Sequence, residues 1–144
     1  MKKGKVFLIG AGPGDPGLIT WRGREILASC DAVVYDSLAP RDLLCSAPRA
    51  RKIDVGKRGG LKTAPKQSEI NGLLWRLAKQ GLRVARLKGG DPMIFGRGAE
   101  EALYLREKKV PFEIIPGVTA ALGAAAYAGI PLTHRNYASH VTLV

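Results

Sequence analysis

Short apolar runs alternate along the chain with amphipathic segments, and Gly, Pro or Asp marks most of the boundaries between them. Runs rich in β-branched residues predict five strands: Lys5–Ile9, Ala32–Tyr35, Arg51–Val55, Arg83–Leu87 and Phe112–Ile115. Helical spacing of apolar positions predicts four helices between and after them: Thr20–Ser29, Ser68–Gln80, Gly98–Lys108 and Thr119–Ala128. We expect Ser68 to be the N-cap of the second helix and Gly81 to end it.

The order of these elements predicts the fold class. Strands that alternate with helices form parallel sheets with right-handed crossovers. We therefore expect an α/β protein with an open parallel five-stranded sheet and flanking helices. Residues His140–Val144 resemble the start of a further strand. Because ligands of such sheets bind outside the carboxyl ends of the strands, the loops after the strands are the candidate functional segments.

Composition restricts the function classes. A hydrophobic content of 46% supports a real core, and the net charge of +11 predicts attraction to polyanions such as nucleic acid, anionic lipid or a polycarboxylate. No apolar stretch reaches the ~20 residues of a membrane span, and no signal-peptide cleavage pattern follows the N-terminus. Cys30 and Cys45 form no CxxC pair, so we expect reduced thiols and no zinc site. A cytoplasmic enzyme or binding domain fits these features.

The loop after the first strand is rich in glycine, with the sequence GAGPGDPG at residues 10–17. Glycines let the backbone approach a ligand closely, but Pro13 and Pro16 remove amide donors and delay the next helix. A dinucleotide fingerprint needs a glycine-rich turn that opens directly into a helix, so the sequence disfavours it. A purely structural turn remains the alternative.

Charged residues follow the second and third strands. Asp36 stands where a general base or hydrogen-bond acceptor would lie, although a turn cap is the alternative. Lys57 and Arg58 lie between glycines, which fits either a binding loop or a solvated basic loop.

The most informative segment is RLKGGDPMIFGRG at residues 86–98. Its paired glycines permit main-chain contact with a ligand. Arg86, Lys88 and Arg97 flank them and can receive carboxylates through charge-assisted hydrogen bonds. After the fifth strand, Thr119 is a candidate N-cap beside free amides.

Together these segments resemble the tetrapyrrole methylase family, most closely its uroporphyrinogen-III C-methyltransferase branch. The resemblance covers essentially the whole chain and is carried by six motifs: VFLIGAGPGD (6–15), VYDSL (34–38), DVGKR (54–58), RLKGGDPMIFGRG (86–98), IPGVTA (115–120) and YAGIPLTHR (127–135).

The resemblance implies a set of site residues. S-adenosylmethionine would contact Pro13, Gly89, Gly90, Asp91, Ile94, Thr119 and Ala120. Asp36 would be the proton acceptor and Lys57 the proton donor, and Arg86 and Arg97 would lie near the macrocycle. The implied reaction is C-methylation of uroporphyrinogen III to precorrin-2, through precorrin-1, for sirohaem and cobalamin. No metal is required, because the sulfonium of the cofactor supplies the electrophile.

The resemblance also implies a two-domain homodimer with its cofactor in the cleft between the domains. We expect residues 1–136 to be the amino-terminal domain and 137–144 the start of the second, so that residues 1–144 alone transfer methyl groups poorly. Alternatives are a methyltransferase of a later corrin intermediate and an RNA-directed methyltransferase or RNA-binding domain. The aromatic content of only 6% argues against stacking on nucleic-acid bases. We therefore expect neither nucleic acid nor membrane as a partner.

Overall fold

The computed structural model describes residues 4–56 and 65–144. Its strands are β1 Lys5–Gly10, β2 Ala32–Tyr35, β3 Arg51–Asp54, β4 Arg83–Lys88 and β5 Phe112–Ile115. Its helices are α1 Trp21–Ala28, α2 Gln67–Lys79, α3 Gly98–Glu107 and α4 Ala120–Tyr127, with 3₁₀ helices at Pro16–Leu18 and Arg41–Ser46. The predicted elements are confirmed, each end to within one residue. None of these helices is long and apolar enough to cross a membrane.

The five strands form one parallel sheet in the order β3-β2-β4-β1-β5. This confirms the predicted open parallel sheet. β1 and β4 lie side by side in its interior and pair from Lys5 with Arg83 to Gly10 with Lys88. Interior strands of this kind are covered on both faces, which explains the continuous apolar run Val6–Ile9 of β1. In β4, the charged residues Arg86 and Lys88 are buried as well.

The helices cover opposite faces of the sheet. Phe7 and Ile9 of β1 pack in a core with Leu27 of α1, whereas Val6 and Leu8 pack in a second core with residues of α2 and α3, including Leu74 and Leu105. The helices that follow the adjacent strands β1 and β4 therefore lie on opposite sides. The carboxyl ends of these two strands are therefore the switch point of the sheet, where ligands of such sheets bind.

The start of α2 differs from the prediction. The helix begins at Gln67, the N-cap position is Lys66 rather than Ser68, and the Glu69 carboxylate accepts a hydrogen bond from the Lys66 amide at 2.9 Å. The carboxylate three residues after Lys66 satisfies a backbone group there, so the Ser68 hydroxyl is not needed as a cap. The predicted end is confirmed, because Gly81 takes a left-handed φ of +83° directly after the last turn.

Residues 140–144 form no strand, so that prediction is wrong. Their alternating apolar residues satisfy the pattern of a strand, but a strand also needs a partner for its backbone groups. None of the described strands pairs with them. Val141 and Leu143 are instead exposed.

Both cysteines are free thiols, as predicted. Cys45 is exposed, whereas Cys30 is buried and its Sγ donates to the Ile26 carbonyl at 3.2 Å. Burial raises the pKa of the Cys30 thiol to about 12, so this side chain is neutral in the folded protein.

Candidate active site

A cavity of about 490 Å³ lies at the crevice between the loops that follow β1 and β4. This volume is within the range of about 300–1,000 Å³ that small-molecule sites occupy. Every described residue that the sequence predicted for the site lines this one cavity: Pro13, Asp36, Arg86, Gly89, Gly90, Asp91, Ile94, Arg97, Thr119 and Ala120. Lys57, the predicted proton donor, lies outside the described residues.

The loops after β1, β4 and β5 pack backbone against backbone beneath this cavity. Gly12 and Gly90 form an antiparallel bridge, in which the Gly90 amide donates to the Gly12 carbonyl at 2.7 Å. A Cβ on Gly117 would lie 2.3 Å from the Gly90 carbonyl oxygen, so only glycine fits there. Gly90 itself has a φ of +65°, and a Cβ on it would meet no described atom closer than 3.8 Å. Its backbone therefore faces open space beside α4.

Asp91 ties two of these loops together. Its Oδ1 accepts the Met93 amide at 2.8 Å, and its Oδ2 accepts the Gly117 amide at 3.0 Å. One carboxylate thus fixes both its own turn and the loop after β5. Asp91 therefore lines the cavity and also holds the two loops together.

Helix α4 presents its first turn to the cavity. Thr119 holds the N-cap position with extended backbone, as predicted, but its hydroxyl makes no capping hydrogen bond with the described residues. Ala120 and Ala121 follow it on the cavity wall. The first amides of a helix lack intrahelical partners, so this end of α4 can donate to a ligand.

A second contact set holds α4 against the loop after β1. The Tyr127 hydroxyl donates to Asp15 Oδ2 at 2.6 Å, which lowers the pKa of Asp15 and raises that of Tyr127. A Cβ on Gly123 would lie 2.5 Å from Pro13 Cγ, so the helix approaches the proline closely. The predicted cofactor residues on the two segments are therefore held in one arrangement.

The rim of the cavity contains two non-glycine residues with left-handed backbone, Phe95 at φ 50° and Arg97 at φ 57°. This conformation costs a non-glycine residue roughly 1–2 kcal/mol. Phe95 is 80% exposed, and the exposed Arg97 is paired with Glu100 through Nε and Nη2 at 2.8 and 2.7 Å. Such strain is typical of functional sites, where the fold holds side chains in defined directions.

Both carboxylate oxygens of Asp36 accept hydrogen bonds. Its Oδ1 accepts the Leu38 amide at 3.1 Å, as in a turn, while its Oδ2 accepts Arg86 Nη2 at 3.1 Å. The side chain is partly exposed on the cavity wall. The carboxylate is thereby held from two sides and still faces the cavity.

Arg86 and Lys88 are buried in a cluster with Glu101. Glu101 was not among the site residues predicted from the sequence. Glu101 Oε1 lies 3.1 Å from Arg86 Nε and 3.1 Å from Lys88 Nζ. Burial, followed by the Arg86 charge, lowers the pKa of Lys88, and Glu101 opposes this shift. The sequence did contain a signal for such a partner. Two cations at alternate positions of one buried strand lie on the same face of the sheet, and buried cations require a carboxylate nearby.

The chain is similar to known proteins over nearly its whole length. The sequence profile of the family described as Tetrapyrrole (Corrin/Porphyrin) Methylases matches residues 5–143. A siroheme synthase of Pseudoalteromonas atlantica is 57% identical over 140 residues, which are 96% of this chain and 30% of that protein. The chain therefore spans about 30% of the length of the curated relatives it matches.

Two solved structures have the same fold. A uroporphyrin-III C-methyltransferase of Thermus thermophilus superimposes with a TM-score of 0.81 at 46% identity, over 93% of this chain and 56% of that one. Another structure of the Thermus thermophilus enzyme, complexed with S-adenosylhomocysteine, has a TM-score of 0.76 at 46% identity, over 92% and 54% of the two chains.

Proposed function

Since the chain belongs to the tetrapyrrole methylase family, we propose that it carries out S-adenosylmethionine-dependent C-methylation of uroporphyrinogen III. The product would be precorrin-2, formed through precorrin-1, on the route to sirohaem and cobalamin. The observation that carries this proposal is the convergence of the described candidate residues on one cavity at the switch point of the sheet. The similarity to uroporphyrin-III C-methyltransferases supports the choice of substrate.

The cavity has the features that S-adenosylmethionine needs. The open backbone at Gly90 and the first amides of α4 offer close approach and hydrogen-bond donors, and Ile94 offers an apolar contact. The proposed cofactor residues are Pro13, Gly89, Gly90, Asp91, Ile94, Thr119 and Ala120. The bound cofactor supplies an electrophilic methyl group on a sulfonium.

The chain's own residues would then position the macrocycle and remove its proton. Methyl transfer to a pyrrole carbon would require the macrocycle and the cofactor to be held in line, which would be the main task of the protein. Asp36 faces the cavity with a fixed carboxylate and is the proposed proton acceptor. Lys57 is the proposed proton donor.

Arg97 and Arg86 are the proposed residues beside the macrocycle. Arg97 is exposed at the rim, where its guanidinium is paired with Glu100. A carboxylate of the substrate can replace Glu100 in this ion pair. Arg86 is only 3% exposed and reaches the cavity wall beside Asp36, so its influence on the substrate passes largely through that carboxylate.

We further propose that residues 1–136 are the amino-terminal domain of a two-domain homodimer, with 137–144 beginning the second domain. The matched structures, of which this chain covers 56% and 54%, support a longer complete enzyme.

Binding titrations test the substrate class. The protein is titrated with uroporphyrinogen III, with a later corrin intermediate and with a structured RNA, each in the presence of S-adenosylhomocysteine. We expect saturable binding of uroporphyrinogen III that weakens with added salt, because carboxylate contacts are screened over about 10 Å at 0.1 M ionic strength. Preferential binding of RNA or of the later intermediate would refute the proposal.

A further inference from the structure

The buried cluster beneath Asp36 has a layered geometry. Asp36 lies at the cavity wall, Arg86 lies behind it, and Glu101 of α3 lies behind Arg86 with no exposed surface. Each guanidinium nitrogen of Arg86 has a different partner: Nη2 donates to Asp36, Nε donates to Glu101 and Nη1 donates to the Leu87 carbonyl, at 3.1, 3.1 and 3.2 Å. A guanidinium held at three points has little freedom to rotate.

Glu101 is itself held in place by donors on two other elements. Its Oε1 accepts from Lys88 Nζ of β4 and from Gln67 Nε2 of α2, each at 3.1 Å. The start of α3 is also fixed, because the Gly98 amide donates to the Pro92 carbonyl at 2.9 Å and a Cβ at Gly98 would lie 2.2 Å from that oxygen. The segment that carries the predicted cofactor residues therefore sets the position of Glu101.

Stability alone does not account for this cluster. The two cations Arg86 and Lys88 balance the two carboxylates Asp36 and Glu101, but apolar residues in the same buried positions are often equally or more stabilising. In addition, Glu101 Oε2 is buried without a hydrogen-bond partner among the described residues, which costs free energy. A charged arrangement kept at this cost indicates a role at the neighbouring site.

We propose that Glu101 is a positioning residue for the proton acceptor of this site: by fixing the Arg86 guanidinium, it holds the Asp36 carboxylate in one orientation on the cavity wall. This inference rests on the proposed function for the role of Asp36. Glu101 itself lies behind Arg86 and touches neither substrate nor cofactor. Its removal should therefore lower the rate of turnover and leave substrate binding intact.

Two variants separate positioning from a simple contribution to folding. Glu101→Gln keeps the shape of the side chain and leaves the buried cluster with one excess positive charge. Glu101→Gln/Lys88→Met removes that excess, since Arg86 and Asp36 then balance. Glu107→Gln, an exposed glutamate on the same helix, is the matched control.

In the complete two-domain enzyme, we expect Glu101→Gln to lower kcat for methylation of uroporphyrinogen III by about 10- to 100-fold, the scale on which small misplacements of reacting groups act. The KM for the macrocycle and the affinity for S-adenosylhomocysteine should stay near those of wild type. The double variant should unfold at a higher temperature than Glu101→Gln but retain the low kcat. Wild-type turnover in Glu101→Gln, or full recovery of kcat in the double variant, would overturn the inference.

A measurement that requires no turnover keeps this inference distinct from the proposed function. Solvent exchange of the Arg86 Nε proton, followed by nitrogen-15 NMR, should be slow in wild type and in Glu107→Gln and much faster in Glu101→Gln. Unchanged exchange in Glu101→Gln would overturn the positioning role even if the enzyme is active. If exchange rises as expected but wild type fails to methylate uroporphyrinogen III, the proposed function is wrong while the Glu101–Arg86 coupling stands.

Discussion

The Asp91 carboxylate accepts the Gly117 amide at 3.0 Å and so joins the loop after β4 to the loop after β5. Its other oxygen accepts the Met93 amide. Asp91→Ala leaves both amides without this partner, and the two loops that carry most of the proposed cofactor residues lose their common anchor. We expect S-adenosylmethionine binding to weaken by about 1–3 kcal/mol, on the scale of hydrogen bonds to a charged group.

Calorimetric titration with S-adenosylmethionine measures this loss. Asp91→Asn keeps one carbonyl acceptor and should lie between wild type and Asp91→Ala. Asp42→Ala, at an exposed aspartate of the 3₁₀ helix Arg41–Ser46, should bind S-adenosylmethionine like wild type. Equal affinity in all four proteins would remove Asp91 from the site.

Replacing Asp36 by Asn should lower turnover by about 10²–10⁴-fold, as expected for the loss of a general base. The amide oxygen can still accept from Leu38 or Arg86, so the local turn and the cofactor affinity should change little. Steady-state kinetics with calorimetry on the same preparation measures both quantities. Asp42→Asn is the control, and normal turnover by Asp36→Asn would show that the residue serves only as a turn cap.

Arg97→Gly tests whether the strained rim serves the substrate. Glycine adopts the left-handed φ of 57° without strain, so the free energy of unfolding should rise by a few tenths to about 1 kcal/mol, less the small contribution of the exposed pair with Glu100. The KM for uroporphyrinogen III should rise several-fold. Lys109→Gly, at φ 55° after α3 and away from the cavity, should bring the same stabilisation with an unchanged KM. An equal KM in both variants would exclude Arg97 as a substrate contact.

Cys30 predicts a specific dependence of stability on alkaline pH. Its pKa is about 12 in the folded protein against an ordinary value of 9.0, so between these values the native state keeps a proton that the unfolded state has lost. Stability should therefore fall as pH rises through this window, by up to about 1.4 kcal/mol per pH unit from this group. The free energy of unfolding is measured by urea titration at several pH values between pH 8.5 and pH 10.5, roughly the lower part of the window. It should fall less steeply with pH in Cys30→Ala than in wild type. In Cys45→Ala, at the exposed thiol, the free energy of unfolding should fall with pH as steeply as in wild type. The same pH dependence in all three proteins would contradict the assignment of this effect to Cys30.

The strands and the site loops could be predicted because both depend on local sequence. A run as short as Val6–Ile9, bounded by glycines, favours a strand buried on both faces. A parallel sheet brings the loops after its strands to one edge. Residues as distant as Pro13 and Thr119 were thus expected together from their order in the chain. The resemblance to a family then selected individual residues within these loops.

The features that the sequence missed depend on partners that are distant in the chain. Glu101 meets Arg86 and Lys88 only because α3 crosses the face of β4, and helical spacing alone does not identify which strand residue faces which helix residue. The N-cap of α2 is Lys66 and not Ser68, because the Glu69 carboxylate accepts the hydrogen bond of the Lys66 amide. At residues 140–144 the alternating pattern was present, but no described strand offers backbone partners.

Transfer of the methyl group itself tests the central claim most directly. The wild-type chain, joined to the second domain proposed for the complete enzyme, is incubated with uroporphyrinogen III and S-adenosylmethionine labelled in the methyl group. The tetrapyrrole is analysed by mass spectrometry, with Asp36→Asn in the same two-domain form alongside. We expect label to move to carbon atoms of the macrocycle, first one methyl group and then a second, with one S-adenosylhomocysteine formed for each methyl group transferred. Asp36→Asn should form far less product. Label that stays on the cofactor with uroporphyrinogen III but moves to a later corrin intermediate or to RNA would contradict the central claim.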